Sequence, residues 1–224
     1  MNGDHWLIFG ATQIGSYHVK NNIPNQDSFY ISKQLLSIGV ADGLGSKKYS
    51  HYGSKYLVKY AVQLSRFFYG NKRSFENKLN ILWINRLRKL NIDFKDASTT
   101  LMLIIIKNRK IYIAKIGDGS IIILGKENKI IDENDKVFSN STVPFGYAEL
   151  KWIVLNEKDV DLIFISTDGI SDDIKDKIGF AQYFKKYFSK LPKYKHEIEA
   201  KKLLKNWKVK GSSDDKTFVA MIKE

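Results

Sequence analysis

Three apolar segments follow one another between residues 99 and 124 with no room for a helix between them. Thr99 to Ile106, Lys110 to Ile116 and Ser120 to Leu124 each read as a strand. Lys107-Asn108-Arg109 and Gly117-Asp118-Gly119 are connections of hairpin length, so the three strands run antiparallel. Thr99 to Ile106 is apolar on both faces and belongs between two layers. Further strands are predicted at Leu7 to Ala11, Phe29 to Ser32, Leu35 to Ala41, Trp152 to Leu155, Asp161 to Thr167 and Thr217 to Ile222. Helical periodicity is confined to separate blocks. Ser54 to Phe68 places Tyr56, Leu57, Tyr60, Ala61, Leu64, Phe67 and Phe68 on one face. Phe75 to Leu90 turns Leu79, Leu82, Trp83, Ile84 and Leu87 inward, with Ser74 as its predicted N-cap. Two more helices are expected near Ile178 to Phe188 and His196 to Trp207. Helices segregated from runs of antiparallel strands indicate an α+β layered architecture, not alternating βαβ units.

No Pro-rich or Gly/Ser-rich linker divides the 224 residues, and one domain spanning 1–224 is the expectation. The chain has no cysteine, which rules out disulfides, thiolate metal sites and a cysteine nucleophile. No signal-peptide pattern opens it, and its longest apolar run, Leu101 to Ile106, is far too short to cross a bilayer. A cytoplasmic protein that makes no membrane contact is expected. Lys and Arg number 37 against 24 Asp and Glu, a net charge of +13. The densest cationic stretch, Lys185-Lys186 through Lys201-Lys202, keeps helical spacing with aromatic residues between, and reads as a solvated helix face rather than a nucleic-acid surface.

Five acidic motifs punctuate this pattern. They are Asn25-Gln26-Asp27-Ser28, Ala41-Asp42-Gly43, Gly117-Asp118-Gly119, Thr167-Asp168-Gly169 and Ser213-Asp214-Asp215. Taken singly, each suits an ordinary turn. Jointly, they deliver carboxylates to strand ends, where glycine allows a sharp turn and leaves space beside the oxygens. Asp42, Asp168 and Asp214 are the best metal-ligand candidates. Ligation by oxygen alone suits Mg²⁺ or Mn²⁺, not zinc. Two such ions, about 3.5–4 Å apart, orient a phosphate and generate a nucleophile from water. With no nucleophile elbow or Ser-His-Asp pattern, activated water is the expected attacker.

The ordered set Asn25-Gln26-Asp27, Asp42-Gly43-Leu44-Gly45, Ser98-Thr99-Thr100, Gly117-Asp118-Gly119, Thr167-Asp168-Gly169-Ile170-Ser171-Asp172 and Asp214-Asp215-Lys216-Thr217 resembles the PP2C (PPM) metal-dependent protein phosphatases, and is most similar to their short bacterial branch. The resemblance runs from about Gly10 to Ile222. It implies a four-layer α-β-β-α sandwich of two antiparallel sheets flanked by helices, with Mn²⁺ or Mg²⁺ in a cleft at one edge. Carried over, Asp42 bridges two ions, the Gly43 carbonyl binds one, and Asp168 and Asp214 complete the first ion's shell. Asp27 holds water nearby, and Asp118 with Asp172 matches a weaker third site. Asp215 stands where the family commonly has Asn, so the ligand role falls to Asp214 with Asp215 held in reserve.

Two departures stand out. Leu44 occupies the position where many members have a histidine acting as general acid, and leucine donates no proton. Asn22 occupies the position of an arginine that clamps the substrate phosphate, and lacks the charged fork. His18 and Lys20, just upstream, are the candidate substitutes: His18 as acid or phosphate donor, Lys20 with Asn22 as substrate contacts. The implied activity is hydrolysis of phosphoserine and phosphothreonine in proteins, countering a serine/threonine kinase, by a monomer. A catalytically silent relative is the main alternative, prompted by Leu44 and Asn22. The segment Asp132 to Leu150 reads as a loop that can cover the cleft, with a turn at Val143-Pro144-Phe145-Gly146.

Overall fold

The computed structural model describes residues 5–132, 142–207, 209 and 212–224. Its strands are β1 (Trp6–Gln13), β2 (Asp27–Ser32), β3 (Ser37–Asp42), β4 (Leu101–Lys107), β5 (Lys110–Ile116), β6 (Ser120–Gly125), β7 (Lys129–Ile131), β8 (Lys151–Asn156), β9 (Val160–Ser166) and β10 (Lys216–Lys223). The helices are α1 (Ser16–Asn21), α2 (Ser50–Leu64), α3 (Lys72–Arg88), α4 (Asp168–Ser171), α5 (Lys177–Phe188) and α6 (His196–Lys205). The strands form two five-stranded antiparallel sheets, in the orders β1-β10-β9-β6-β7 and β2-β3-β4-β5-β8.

Strand alternation sorts the core into three apolar layers. Ile38, Val40, Met102, Ile104, Ile113, Ile121, Ile163, Ile165, Val219 and Met221 interleave between the sheets. The opposite face of β3, β4 and β5 packs Leu101, Leu103, Ile105 and Ala114 against Leu57, Leu79 and Trp83 of α2 and α3. The opposite face of β9 and β10 packs Phe164 and Phe218 against Phe184, Phe188 and Leu204 of α5 and α6. The fold is therefore the expected α+β, four-layer α-β-β-α sandwich. Leu101 through Ile106 are buried, because β4 lies between a helix layer and the second sheet.

Local differences from the sequence reading have simple causes. The second long helix begins at Lys72, and its cap is Asn71, whose side chain accepts from the Ser74 amide at 3.0 Å; Ser74 is not the cap. Leu82, expected inside, is 42% exposed because α3 buries the narrower stripe Phe75, Leu79, Trp83 and Leu87. Phe67 lies in a 3₁₀ turn after α2 and is 64% exposed, while Phe68 takes the inward place. The short elements α1, α4 and β7 carry too few residues for a periodic signal.

Candidate metal centre

Sheet register gathers the acidic motifs. Asp27 opens β2 directly across from Asp42, the last residue of β3. Asp42 is fixed through its backbone: its amide donates to Thr100 Oγ1 at 2.9 Å, and its carbonyl accepts from Thr100 N at 2.8 Å and Thr99 Oγ1 at 2.7 Å. The motif Ser98-Thr99-Thr100 thus anchors the carboxylate-bearing turn. Gly43 bonds back to the Gln26 carbonyl at 3.1 Å and bridges to Thr99.

Asp118 sits in the tight β5–β6 hairpin. Gly117 and Gly119 on either side have φ of 88° and 80°, a region that side-chain-bearing residues rarely adopt. The Thr142 hydroxyl donates to the Asp118 carboxylate. Asp168 starts α4, and its Oδ1 accepts from the Gly169 amide at 2.7 Å. Any Cβ on Gly169 would collide with the Asp215 carbonyl, so glycine lets the β9–α4 turn approach the 214–215 turn.

One carboxylate oxygen each from Asp42, Asp118 and Asp168 lies within 4.8 Å of the others, a spacing that a shared cation can bridge. Asp118 therefore stands among the central acids. Asp214 lies outside this trio but adjoins it, since its charge raises the pKa of both Asp42 and Asp168. Asp172 is exposed at the C-terminal end of α4 and is not gathered into the trio.

Burial and mutual repulsion oppose ionisation across this cluster. Burial pushes the Asp27 carboxyl up to about 8, with the Thr167 hydroxyl acting against it and the Asp215 charge reinforcing it. Burial, followed by the charges of Asp27, Asp168, Asp118 and Asp214, holds Asp42 well above the usual carboxylate range. Asp168 rises to about 6, through burial first and then the charges of Asp118 and Asp214. Such a set is poorly matched to water and well matched to a hard divalent ion, which supplies the missing positive charge.

Thr167, quoted before only as part of a motif, and Asp215, held in reserve as a ligand, set the frame. Thr167 donates through Oγ1 to Asp27 Oδ2 at 2.8 Å and accepts from the Thr217 amide at 3.1 Å, locking β2 to β10. Asp215 is only 2% exposed, and its carboxylate accepts from the Gly15 and Gln26 amides at 2.7 Å each. His18 is buried, with Nδ1 2.8 Å from Asp215 Oδ2. Lys20 and Asn22 are exposed at the C-terminal end of α1, with Asn22 in the left-handed region at φ 54°. Leu44 is half-buried and its amide donates to the Ser98 carbonyl at 3.0 Å. Residues 133–141 of the segment expected over the cleft lie outside the described residues. The turn expected at Val143-Pro144-Phe145-Gly146 lies one residue later: the Tyr147 amide donates to the Pro144 carbonyl at 3.3 Å, and buried Phe145 anchors on Thr99 and Trp83.

Residues 14–207 match the family model described as protein phosphatase 2C. The chain belongs to this family. Solved PP2C-like structures overlie nearly all of it at low identity. A bacterial serine phosphatase, in a single-site mutant form, aligns with TM-score 0.70 and 19% identity, covering 99% of this chain and 100% of that one. PppA, a regulatory component of T6SS in Pseudomonas aeruginosa, gives 0.71 and 14%, covering 98% of each. The catalytic domain of the serine/threonine protein phosphatase PstP, in complex with two manganese ions, gives 0.68 and 15%, covering 98% and 99%. No curated protein matches the chain. Among the described residues, no helix is long and apolar enough to cross a membrane.

Proposed function

We propose that this PP2C chain is an active, metal-dependent phosphatase that hydrolyses phosphoserine and phosphothreonine in proteins. The observation that carries this reading is the convergence of Asp42, Asp118 and Asp168 oxygens within 4.8 Å of one another. A silent relative keeping only the fold would have no reason to hold costly, mutually repelling carboxylates together. Asp42, the Gly43 carbonyl, Asp168 and Asp214, with Asp118 and Asp172 for a third site, are the residues proposed to hold Mn²⁺ or Mg²⁺. The manganese complex of the similar PstP structure supports the choice of ion. When bound, the ions supply Lewis-acid neutralisation of phosphate charge and lower the pKa of water.

The chain's own groups then have distinct tasks. Asp27, held by Thr167, orients the attacking water. Thr99 and Thr100 fix the Asp42 turn so that the carboxylate does not reorganise during reaction. His18 is proposed as proton donor, and exposed Lys20 and Asn22 as contacts for the substrate phosphate. One domain, a monomer, and a cytoplasmic role opposing a serine/threonine kinase complete the proposal; the absence of cysteine fits a reducing compartment.

The test is turnover of p-nitrophenyl phosphate and of a phosphoserine peptide with Mn²⁺, with Mg²⁺ and with EDTA, comparing the wild type with Asp42→Ala. Turnover with either ion, absent in EDTA and lost in the variant, supports the reading; no metal-dependent turnover sinks it.

A further inference from the structure

A proton donor for the leaving oxygen is the part of the site that Leu44 leaves open. The sequence holds four histidines. His196 uses both ring nitrogens structurally, at 2.9 Å from the Lys193 and Phe188 carbonyls. His5 is exposed beside Glu224 at the other end of β1. His51, in the first turn of α2, has no carboxylate partner among the described residues, and the charge of Lys55 lowers its pKa further after burial. Among the described residues, His18 is the histidine whose carboxylate partner adjoins the acidic cluster, since Asp215 lies close enough for its charge to act on Asp27.

That carboxylate is Asp215. Its Oδ1 accepts from Gly15 N, and its Oδ2 accepts from Gln26 N and faces His18 Nδ1. Both oxygens are engaged by the protein and the residue is 2% exposed, so Asp215 is not disposed to act as a metal ligand. It ties together the two ends of the 15–26 segment, which carries α1 and leads into Asp27. A carboxylate that already accepts two amide hydrogens must also accept from the ring, so the ring carries its hydrogen on Nδ1. Nε2 is then the nitrogen left for substrate, since among the described residues the ring's hydrogen bond runs through Nδ1.

We propose that Asp215 is the positioning residue for His18. It locks the ring with Nδ1–H on the carboxylate and leaves Nε2 to protonate the leaving oxygen of a phosphoseryl substrate. The proposal rests on the phosphatase reading. In the step, water oxygen forms the new bond to phosphorus as the bond from phosphorus to the ester oxygen breaks, and both of its hydrogens leave with the phosphate, which gives one up to solvent. The electron pair of that bond stays on the ester oxygen, which takes the proton from Nε2. The ring is left neutral with Nδ1–H still on Asp215, and solvent returns the Nε2 proton.

The test compares Asp215→Asn, His18→Gln and the double variant, with Mn²⁺, on two substrates. A phosphoserine peptide has a basic alkoxide leaving group that needs the proton; p-nitrophenyl phosphate has a stable phenolate that does not. Asp215→Asn, which keeps an oxygen for Gly15 N, is expected to lower kcat on the peptide by about 10–100-fold, the usual scale for a supporting partner. Its loss on p-nitrophenyl phosphate should be clearly the smaller of the two, and the double variant should be no slower than His18→Gln. Equal losses on both substrates, or additive losses, overturn the proposal. A second readout needs no turnover: ¹⁵N NMR of the metal-free wild type should show Nδ1–H on His18, and Asp215→Asn should remove that preference. An Nε2–H tautomer in the wild type overturns the proposal. A wild type that hydrolyses neither substrate defeats the phosphatase reading instead, and the tautomer still decides the pairing.

Discussion

At the scale of single residues, Asp42 stands at the centre of the conflict between charge and burial. The charges of four neighbouring aspartates raise its pKa, after burial itself. Asp42→Asn removes one charge while retaining shape, and its amide can donate to Asp27 or Asp168. The variant should therefore melt higher than wild type in EDTA at pH 8, measured by calorimetry, while metal-dependent turnover falls at least about a hundredfold, beyond the usual cost of losing a mere supporting group. A lower melting temperature in EDTA would show that the carboxylate is satisfied without metal. Legibility at this scale followed chain locality. Asp42, Asp118 and Asp168 were visible because each sits in a short Gly-flanked motif beside an apolar run. The bonds of Asp215 to Gly15 and His18 span about 200 residues, and no local pattern announces them.

At the scale of elements, the long strands and helices declared themselves, since one apolar face persists over two turns or more. The missed helices α1 and α4 have six and four residues and exist because tertiary bonds hold them. For α4, the Thr167 amide bonds Thr217 and the Thr167 carbonyl accepts from Ser171 at 3.0 Å, so the β9 end, not propensity, sets Asp168 in place. Thr167→Val keeps the shape and deletes the hydroxyl that serves both Asp27 and Thr217. Stability should drop by about 1–3 kcal/mol in urea denaturation, because the amide and carboxylate partners stay buried. Turnover should fall with it, as Asp27 loses its anchor. On the opposite flank, Trp83 is fully buried, with Nε1 donating to the Gly53 carbonyl at 3.0 Å. Trp83→Ala should cost about 3–5 kcal/mol in urea denaturation, and Asp42, one layer away, should keep its Mn²⁺ affinity in whatever fraction remains folded.

At the scale of the whole molecule, two electrostatic terms oppose each other. The chain carries a net charge of +13, so acid adds to a surface that already repels itself and weakens the fold at low pH. The buried acids act the other way. Asp27 and Asp168 have an ordinary value of 3.8 and rise to about 8 and about 6 in the fold. The folded state thus holds protons that the unfolded state has released, and their contribution to stability is fully present below about pH 4. It is lost as pH climbs through 6 toward 8. Salt separates the terms, because it screens the exposed lysines far more than the desolvated acids of the cluster. In EDTA and about 0.5 M NaCl, a regime where the Debye length is a few ångströms, the melting temperature should fall from pH 5 to pH 8. Asp42→Asn should flatten that slope. Mn²⁺ at a hundred times its pH 8 Kd should restore about 2.7 kcal/mol at pH 8, and the same concentration should restore less at pH 5, where protons compete for the ligands. A metal-free melting temperature that rises over this range in high salt would mean that the acids are already satisfied in the folded chain, and the case for a cation in the cleft would fall with it.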